Sequence, residues 1–192
     1  MSKLSSLSIV IPVFNDAETI GDVLKDALDA GNSFAKQFEI VVLDDGSTDN
    51  SVSKIEESAK GDPHIKLVKH RKNLGFGRTI KELYHLAKND FIFSIPGDRQ
   101  IRADIISSLI QKIAEVDMVV GFRKIRQDNF LRKLQSFYYN SFLRFFFHVD
   151  LQDVNSSKLF RRKILDEVQL ASHSAFVDAE LCIKALRHGY KI

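Results

Sequence analysis

The chain has 192 residues, 44% of them hydrophobic and 28% charged, with nine Gly, three Pro and one cysteine, Cys182. This length and apolar fraction suit a single domain with a real core and exclude a disordered tail, a collagen-like chain and a low-complexity chain. One cysteine excludes an internally stapled scaffold, and no apolar run approaches the roughly 18 residues of a membrane span. Met1-Ser2-Lys3-Leu4 leads into a strand pattern without a signal-peptide core, which predicts a cytoplasmic address.

The net charge of +3 conceals a gradient: residues 1–63 hold five Lys/Arg against twelve Asp/Glu, 64–119 ten against six, and 120–163 ten against three. An acidic front and a basic rear fit a molecule that handles a cation or sugar at one end and meets phosphates or lipid headgroups at the other. An ordinary solvated surface gives the same count.

Short apolar runs alternate with helical periodicity. Leu7–Val13 reads as a strand that closes at Asn15-Asp16. Asp16 is placed to cap a helix carrying Ile20, Val23, Leu24, Ala27 and Leu28, with Gly31 as its stop. Phe38–Leu43 is a second strand, ending in Asp44-Asp45-Gly46-Ser47-Thr48-Asp49, with Asp49 as N-cap of a helix over 50–59. His64–Val68 is a third strand, followed by the loop 71–77 and a helix near 78–88. Phe91–Ile95 is a fourth, ending at Pro96-Gly97-Asp98-Arg99-Gln100; a helix over 103–115 and a fifth strand, Met118–Gly121, complete the series. The alternation predicts an α/β fold with a mostly parallel central sheet flanked by helices on both faces, and ligands at the carboxyl ends of its strands. Asp16, the Asp44/Asp45 pair and Asp98 all stand at such ends.

The Asp44–Asp49 segment admits several chemistries. A carboxylate there can accept from ribose hydroxyls or a base N–H, or serve as an aspartyl nucleophile of a phosphatase. Adjacent acids on a strand point to opposite faces, which counts against a shared Mg²⁺ and leaves turn and helix capping as the plain alternative. Gly75-Phe76-Gly77 can let a phosphate or ribose approach the backbone, but the chain lacks GxGxxG after its first strand, so dinucleotide binding is not expected. Asp98 is presented beyond the sheet edge, where one carboxylate can hold Mg²⁺ or Mn²⁺ bridging a substrate diphosphate; a plain turn aspartate reads the same. Residues 122–150 place Phe137, Tyr138, Tyr139, Phe142, Phe145, Phe146 and Phe147 beside Arg123, Lys124, Arg126, Arg132 and Lys133. That composition suits an interfacial helix on an anionic membrane, a core helix or an oligomer interface; the acidic front argues against nucleic acid. Asp178 and Glu180 open an apolar-striped helix, as general-base candidates or as charges that complement the helix dipole. The six histidines show no zinc-ligand spacing.

In order and spacing these segments resemble the family 2 glycosyltransferases, in the branch of dolichol-phosphate mannose synthase. The match runs through Ser8–Asp16, Val41–Asp49, Asn73–Gly77, Pro96–Gln100, Gly121–Arg123, Asp153–Arg162 and Asp178–Glu180. The resemblance implies a single GT-A-type catalytic domain over 1–192, cut short at its C-terminus relative to the family. It implies inverting transfer of a sugar from a nucleoside-diphosphate sugar to an acceptor such as a polyprenyl phosphate, with Mg²⁺ or Mn²⁺ and peripheral membrane contact. Pro12, Phe14, Asp16, Leu43, Asp45, Gly97, Asp98 and Arg123 would then line the donor site, with Phe14 beside the base. Asp98 would hold the metal and take part in catalysis, and Asp178 or Glu180 would be the base for a hydroxyl acceptor. Pro96 stands where the family's D-x-D motif has its first acid, so metal binding rests on Asp98. A catalytically impaired nucleotide-sugar-binding protein of the same fold is the alternative.

Overall fold

The computed structural model describes residues 3–121 and 156–192, in which the apolar runs pair into one six-stranded sheet. Its strands are β1 (Leu4–Val13), β2 (Ala35–Asp44), β3 (Ile65–Lys69), β4 (Phe91–Ser94), β5 (Met118–Val120) and β6 (Lys158–Arg161). They lie in the order β3-β2-β1-β4-β6-β5. β1 pairs in parallel with β2 and β4, and β2 with β3, so the ends of β1, β2 and β4 point the same way. β6 runs against both β4 and β5. The connecting helices are α1 (Ile20–Phe34), α2 (Ser51–Gly61), α3 (Phe76–Leu86), α4 (Ile106–Ile113, led by a 3₁₀ turn at Ala103–Ile105), α5 (Lys163–Glu167) and α6 (Val177–Arg187).

Strand side chains alternate between two buried layers, which is why the strands read as unbroken apolar runs. Leu7, Ile9, Ile11, Ile40, Val42 and Phe93 pack with Ile20, Val23, Leu24, Ile55, Ile106 and Ile110, on the side of α1, α2 and α4. Val10, Val41, Leu43 and Ile92 pack with Ile80, Leu83, Ile164, Val177 and Leu181, on the side of α3, α5 and α6.

Three local expectations are corrected. Asp16 does not cap α1: its carbonyl accepts from the amides of Thr19 and Ile20, while its carboxylate turns back to the Phe14 amide at 3.2 Å. Gly31 does not stop α1, which runs on to Phe34; the Phe38 ring of β2 fills the place where a Cβ would project. β6 was not anticipated, because Ser156, Ser157 and Lys158 before it and Arg161-Arg162 after it leave only Leu159-Phe160 as an apolar signal. Asp49 stands one residue before the N-cap Asn50 and accepts from the Ser51 amide at 2.9 Å.

At the opposite end of the sheet from the strand termini, Glu39 joins several elements. Its carboxylate accepts from Ser8 Oγ at 2.7 Å, Lys66 Nζ at 2.7 Å and the Lys88 amide at 2.9 Å. Burial raises its pKa, but the bonds from Lys66, Ser8 and Lys88 outweigh this and hold it below its ordinary value. Glu39→Gln is therefore expected to lower the unfolding free energy at pH 7 by about 1–3 kcal/mol in urea titration. A depressed carboxylate contributes above its unfolded pKa and loses that contribution as pH falls through its folded one. The gap between the two proteins should accordingly close in acid.

Candidate functional site

The ends of β1, β2 and β4, with the loop before α3, enclose a cleft of about 290 Å³. Asp16, Asp45 and Asp98 line it, each from the turn after a different strand, together with Pro12, Phe14, Gly75, Phe76 and Gly97. Phe14 and Phe76 are its aromatic groups and are 45% and 44% exposed, large apolar surfaces left to water at the rim.

The loops around the cleft are tied to one another through side chains. Asn15, in the left-handed region at φ 57°, donates its amide to Ser47 Oγ at 2.9 Å and accepts from the Thr48 amide at 2.8 Å. Ser51 Oγ accepts from the Asp16 amide, and Asp49 from the Ala17 amide at 3.0 Å. The Asp44–Asp49 motif is thus a seam between two strand-end loops. Gly46, at φ +74°, continues the seam, since a Cβ there would meet the backbone of Lys72 and Asn73 within 2.8 Å. Gly97 has a similar constraint on the other side: its Cβ would stand 2.8 Å from Asp16 Oδ2 and 3.0 Å from the Pro12 carbonyl.

The adjacent acids divide their roles as strand geometry requires. Asp44, 1% exposed, turns Oδ2 onto the amides of Gly46 and Ser47. That sequestered position removes the basis for an aspartyl nucleophile there. Asp45 faces the cleft, and its Oδ1 accepts from His70 Nδ1 at 2.7 Å and the Leu74 amide at 2.8 Å, while Oδ2 accepts from the Gly75 amide at 2.8 Å. Burial raises the pKa of Asp45, but these bonds outweigh it and hold the group below its ordinary range. Asp16 goes the other way: burial raises it, the Phe14 amide opposes, and the charges of Asp98, Asp49 and Asp44 add to the rise. Asp98 accepts from the Gln100 amide on Oδ1 at 3.0 Å.

A second compartment of about 170 Å³ shares Pro12, Phe76, Pro96 and Asp98 with the first and continues to Ser94, Gln100, Ser156, Ser157 and Asp178. Asp178 Oδ1 accepts from Tyr84 Oη at 3.1 Å and lies 3.1 Å from Lys158 Nζ, which also donates to the Ser156 carbonyl at 2.9 Å. Lys158 is 1% exposed, a buried cation matched by a buried anion. The hydroxyls of Ser156 and Ser157 are buried, with no hydrogen-bond partner found among the described residues.

The structure therefore gathers Pro12, Phe14, Asp16, Asp45, Gly97 and Asp98 around one cleft and places Asp178 in its neighbour. Leu43 is not among the cleft residues; it is fully buried in the α3/α6 layer. Glu180 lines neither compartment: its carboxylate takes the amides of Ala171 and Ser172 and pairs with Lys184 at 2.7 Å. Arg123 and the aromatic–basic segment 122–150 lie outside the described residues. Sequence reading missed His70, Tyr84 and Lys158. A lysine between two serines and a Leu-Phe pair is a local signal for a special position, but Asp178, 20 residues from Lys158 and 94 from Tyr84, leaves no trace of either pairing in spacing.

The model of glycosyl transferase family 2 matches residues 8–169. The chain is 32% identical over 166 residues to an undecaprenyl-phosphate 4-deoxy-4-formamido-L-arabinose transferase of Shewanella sediminis, covering 85% of this chain and 50% of that protein. It is 30% identical over 169 residues to a dodecaprenyl-phosphate galacturonate synthase of Rhizobium johnstonii, again covering 85% and 50%. The chain thus spans about half the length of the curated relatives it matches. Among solved structures, glucosyl-3-phosphoglycerate synthase of Mycobacterium tuberculosis with phosphoglyceric acid superposes at a TM-score of 0.75 and 19% identity, covering 96% of this chain and 66% of that one. A mannosyltransferase of Pyrobaculum calidifontis with GDP-Man and Mn²⁺ superposes at 0.65 and 16% identity, covering 96% and 53%. At these identities the likeness is one of fold.

The raised pKa of Asp16 yields a sign-definite expectation. A carboxylate whose ionised form is disfavoured by folding lowers stability once pH exceeds its unfolded value of about 4. Asp16→Asn, which keeps an acceptor for the Phe14 amide, should raise the thermal midpoint at pH 7 by about 2 °C. Calorimetry should find the two proteins converging near pH 4; a gap of the same size at both pH values would rule out ionisation as its source.

Proposed function

Because the chain belongs to glycosyl transferase family 2, we propose that it carries the donor-binding and catalytic elements of an inverting glycosyltransferase that moves a sugar from a nucleoside diphosphate to a polyprenyl phosphate. The fold is of the GT-A type. The observation that carries the reading is the convergence of Asp16, Asp45 and Asp98, from three separate strand ends, on one cleft with exposed Phe14 at its rim. Phe14 offers a face for the base. The diphosphate lies toward Asp98, and the sugar extends into the second compartment, whose Ser156 and Ser157 hydroxyls have no hydrogen-bond partner among the described residues and would meet sugar hydroxyls.

The residues present fit a divalent cation held largely by its substrate. Among the described residues no three His, Cys, Asp or Glu side chains form a ligand cluster. Asp98 stands at the junction of the two compartments, and the charge that raises Asp16 marks an acid-rich spot where a cation is favourable. Asp98 would hold Mg²⁺ or Mn²⁺ together with diphosphate oxygens, since Mg²⁺ binds through one or two carboxylates plus phosphates. When bound, the ion supplies charge neutralisation for the departing diphosphate.

A phosphate acceptor arrives already anionic and needs no base to attack. Asp178 then orients the second compartment through Lys158 and Tyr84; for a hydroxyl acceptor it is the carboxylate positioned to take a proton. The relatives named for polyprenyl-phosphate substrates favour the first case. Among the described residues no helix is long and apolar enough to cross a membrane. The segment 122–150 has the composition to meet an anionic lipid surface. Flotation with anionic but not neutral liposomes is the expected behaviour of the chain, and failure to float with either would remove the membrane contact.

The deciding assay follows radiolabelled sugar from a panel of nucleoside-diphosphate sugars into polyprenyl phosphate, with Mn²⁺. Asp98→Ala should lower transfer by about 100-fold or more and abolish the thermal shift given by nucleotide plus Mn²⁺. A nucleotide-induced shift without transfer would instead favour a binding protein, a reading supported by Pro96 in the D-x-D position and by the Gln100 amide already on Asp98. No shift with any nucleotide would defeat both.

A further inference from the structure

We propose that His70 is a positioning residue for the cleft, holding Asp45 and through it the loop 71–75 that walls the nucleotide, so that loop order and nucleotide affinity follow the protonation of His70. The inference rests on the donor reading of the cleft only for its effect on affinity.

The geometry carries it. The His70 side chain is 8% exposed and touches a carboxylate at each ring nitrogen: Nδ1 lies 2.7 Å from Asp45 Oδ1 and Nε2 3.0 Å from Glu82 Oε2. A neutral imidazole has one N–H and one lone pair, so it can donate to only one of two carboxylates; donating to both requires the imidazolium. Burial disfavours that cation, but the two acids outweigh burial and raise the pKa of His70 above its ordinary 6.5. The His70 amide also donates to the Asp44 carbonyl at 2.9 Å, which fixes the ring at the mouth of β2 and β3.

The other charges nearby do not replace this arrangement. Asp44, on β2, faces its own turn, and Lys69, on β3, pairs with Glu56 at 2.8 Å. Arg71 and Lys72 follow His70 in the loop, and Arg78 stands one turn before Glu82 on α3; no ion pair joins these to His70 among the described residues. Asp45 is thus the point where a proton on His70 is felt by the amides of Leu74 and Gly75 and by the cleft. Loss of that proton leaves a lone pair facing one carboxylate and adds net negative charge to the wall of an anion-binding cleft.

The sign follows from the raised histidine pKa. The contribution is complete below the unfolded value of about 6.5 and is lost as pH rises through the folded one. The test is calorimetric titration of uridine and guanosine diphosphate, with Mn²⁺, between pH 6 and 9, alongside amide hydrogen exchange at Leu74 and Gly75. The wild-type protein should lose affinity about fivefold across the transition, with the two amides deprotected over the same interval after correction for intrinsic exchange. His70→Gln should bind more weakly at pH 6.5 and show only the pH dependence of the ligand's own ionisation. Glu82→Gln, at a half-exposed position, should move the midpoint to lower pH and keeps the test available if His70→Gln does not fold. A folded His70→Gln protein with wild-type profiles in both readouts, or an unmoved midpoint in Glu82→Gln, overturns the proposal. Exchange that tracks His70 while no nucleotide binds at any pH would confirm the positioning of the loop and overturn the donor reading instead.

Discussion

Anionic groups can be gathered at one edge of a sheet only if something meets their charge, and here the groups that meet it are mostly backbone amides. Asp44 takes the amides of Gly46 and Ser47, Asp45 those of Leu74 and Gly75, and Asp49 those of Ala17 and Ser51. Each such bond is charge-assisted and each also closes a loop. Electrostatics and loop geometry are therefore one constraint: a carboxylate removed from this edge releases a segment of the cleft wall as well as a charge. Asp16 is the informative exception. It has one amide, from Phe14, and three acids in its field, and its pKa moves up where those of Asp45 and Asp49 move down.

The two core layers bear on the cleft differently. The layer of α1, α2 and α4 is built mainly of aliphatic and aromatic side chains packed against β1, β2 and β4, which sets the spacing of the strand ends. The layer of α3, α5 and α6 contains Tyr84, Lys158 and Asp178 among its aliphatic side chains, and of these Asp178 lines the second compartment while Tyr84 and Lys158 hold its carboxylate. A buried ion pair is seldom the most stable filling of such a space; well-packed apolar groups of similar volume often do better. Its position beneath a compartment, with Cys182 pushed by burial up to about 12 and packed inertly beside it, separates a polar device from ordinary core.

The strand alternation, the acids at the strand ends and the resemblance of their motifs were legible because each is local: a run of β-branched residues, a carboxylate in the next turn, a glycine where backbone passes close. Boundaries were less so. Gly31 looks like a helix stop until Phe38, from the following strand, is seen to occupy its missing Cβ. Asp16 looks like a helix cap, but Thr19 occupies that position and the carboxylate serves the preceding turn instead. β6 escaped notice because Lys158, a charged residue in a short strand, is met there by Asp178, whose proximity is a product of folding. His70 offered no clue for the same reason: Asp45 and Glu82 converge on it from 25 residues before and 12 after.

Pro96 can be understood in these terms. It lines both compartments beside Asp98, at the end of a strand whose last amide bond to β1 is made by Ile95, so the missing N–H of proline leaves no ladder partner unsatisfied. An acid at 96 would bring another carboxylate to an edge where the charge of Asp98 already raises Asp16. With proline there, Asp98 carries the charge at this junction without a neighbouring acid in the motif, and the preset φ of the ring stiffens the turn that presents it. Proline in place of an acid exchanges one carboxylate for a less repulsive edge. In a cleft where amide donors are few around Asp16 and plentiful around Asp45, that exchange falls on the side of the molecule least able to absorb another charge.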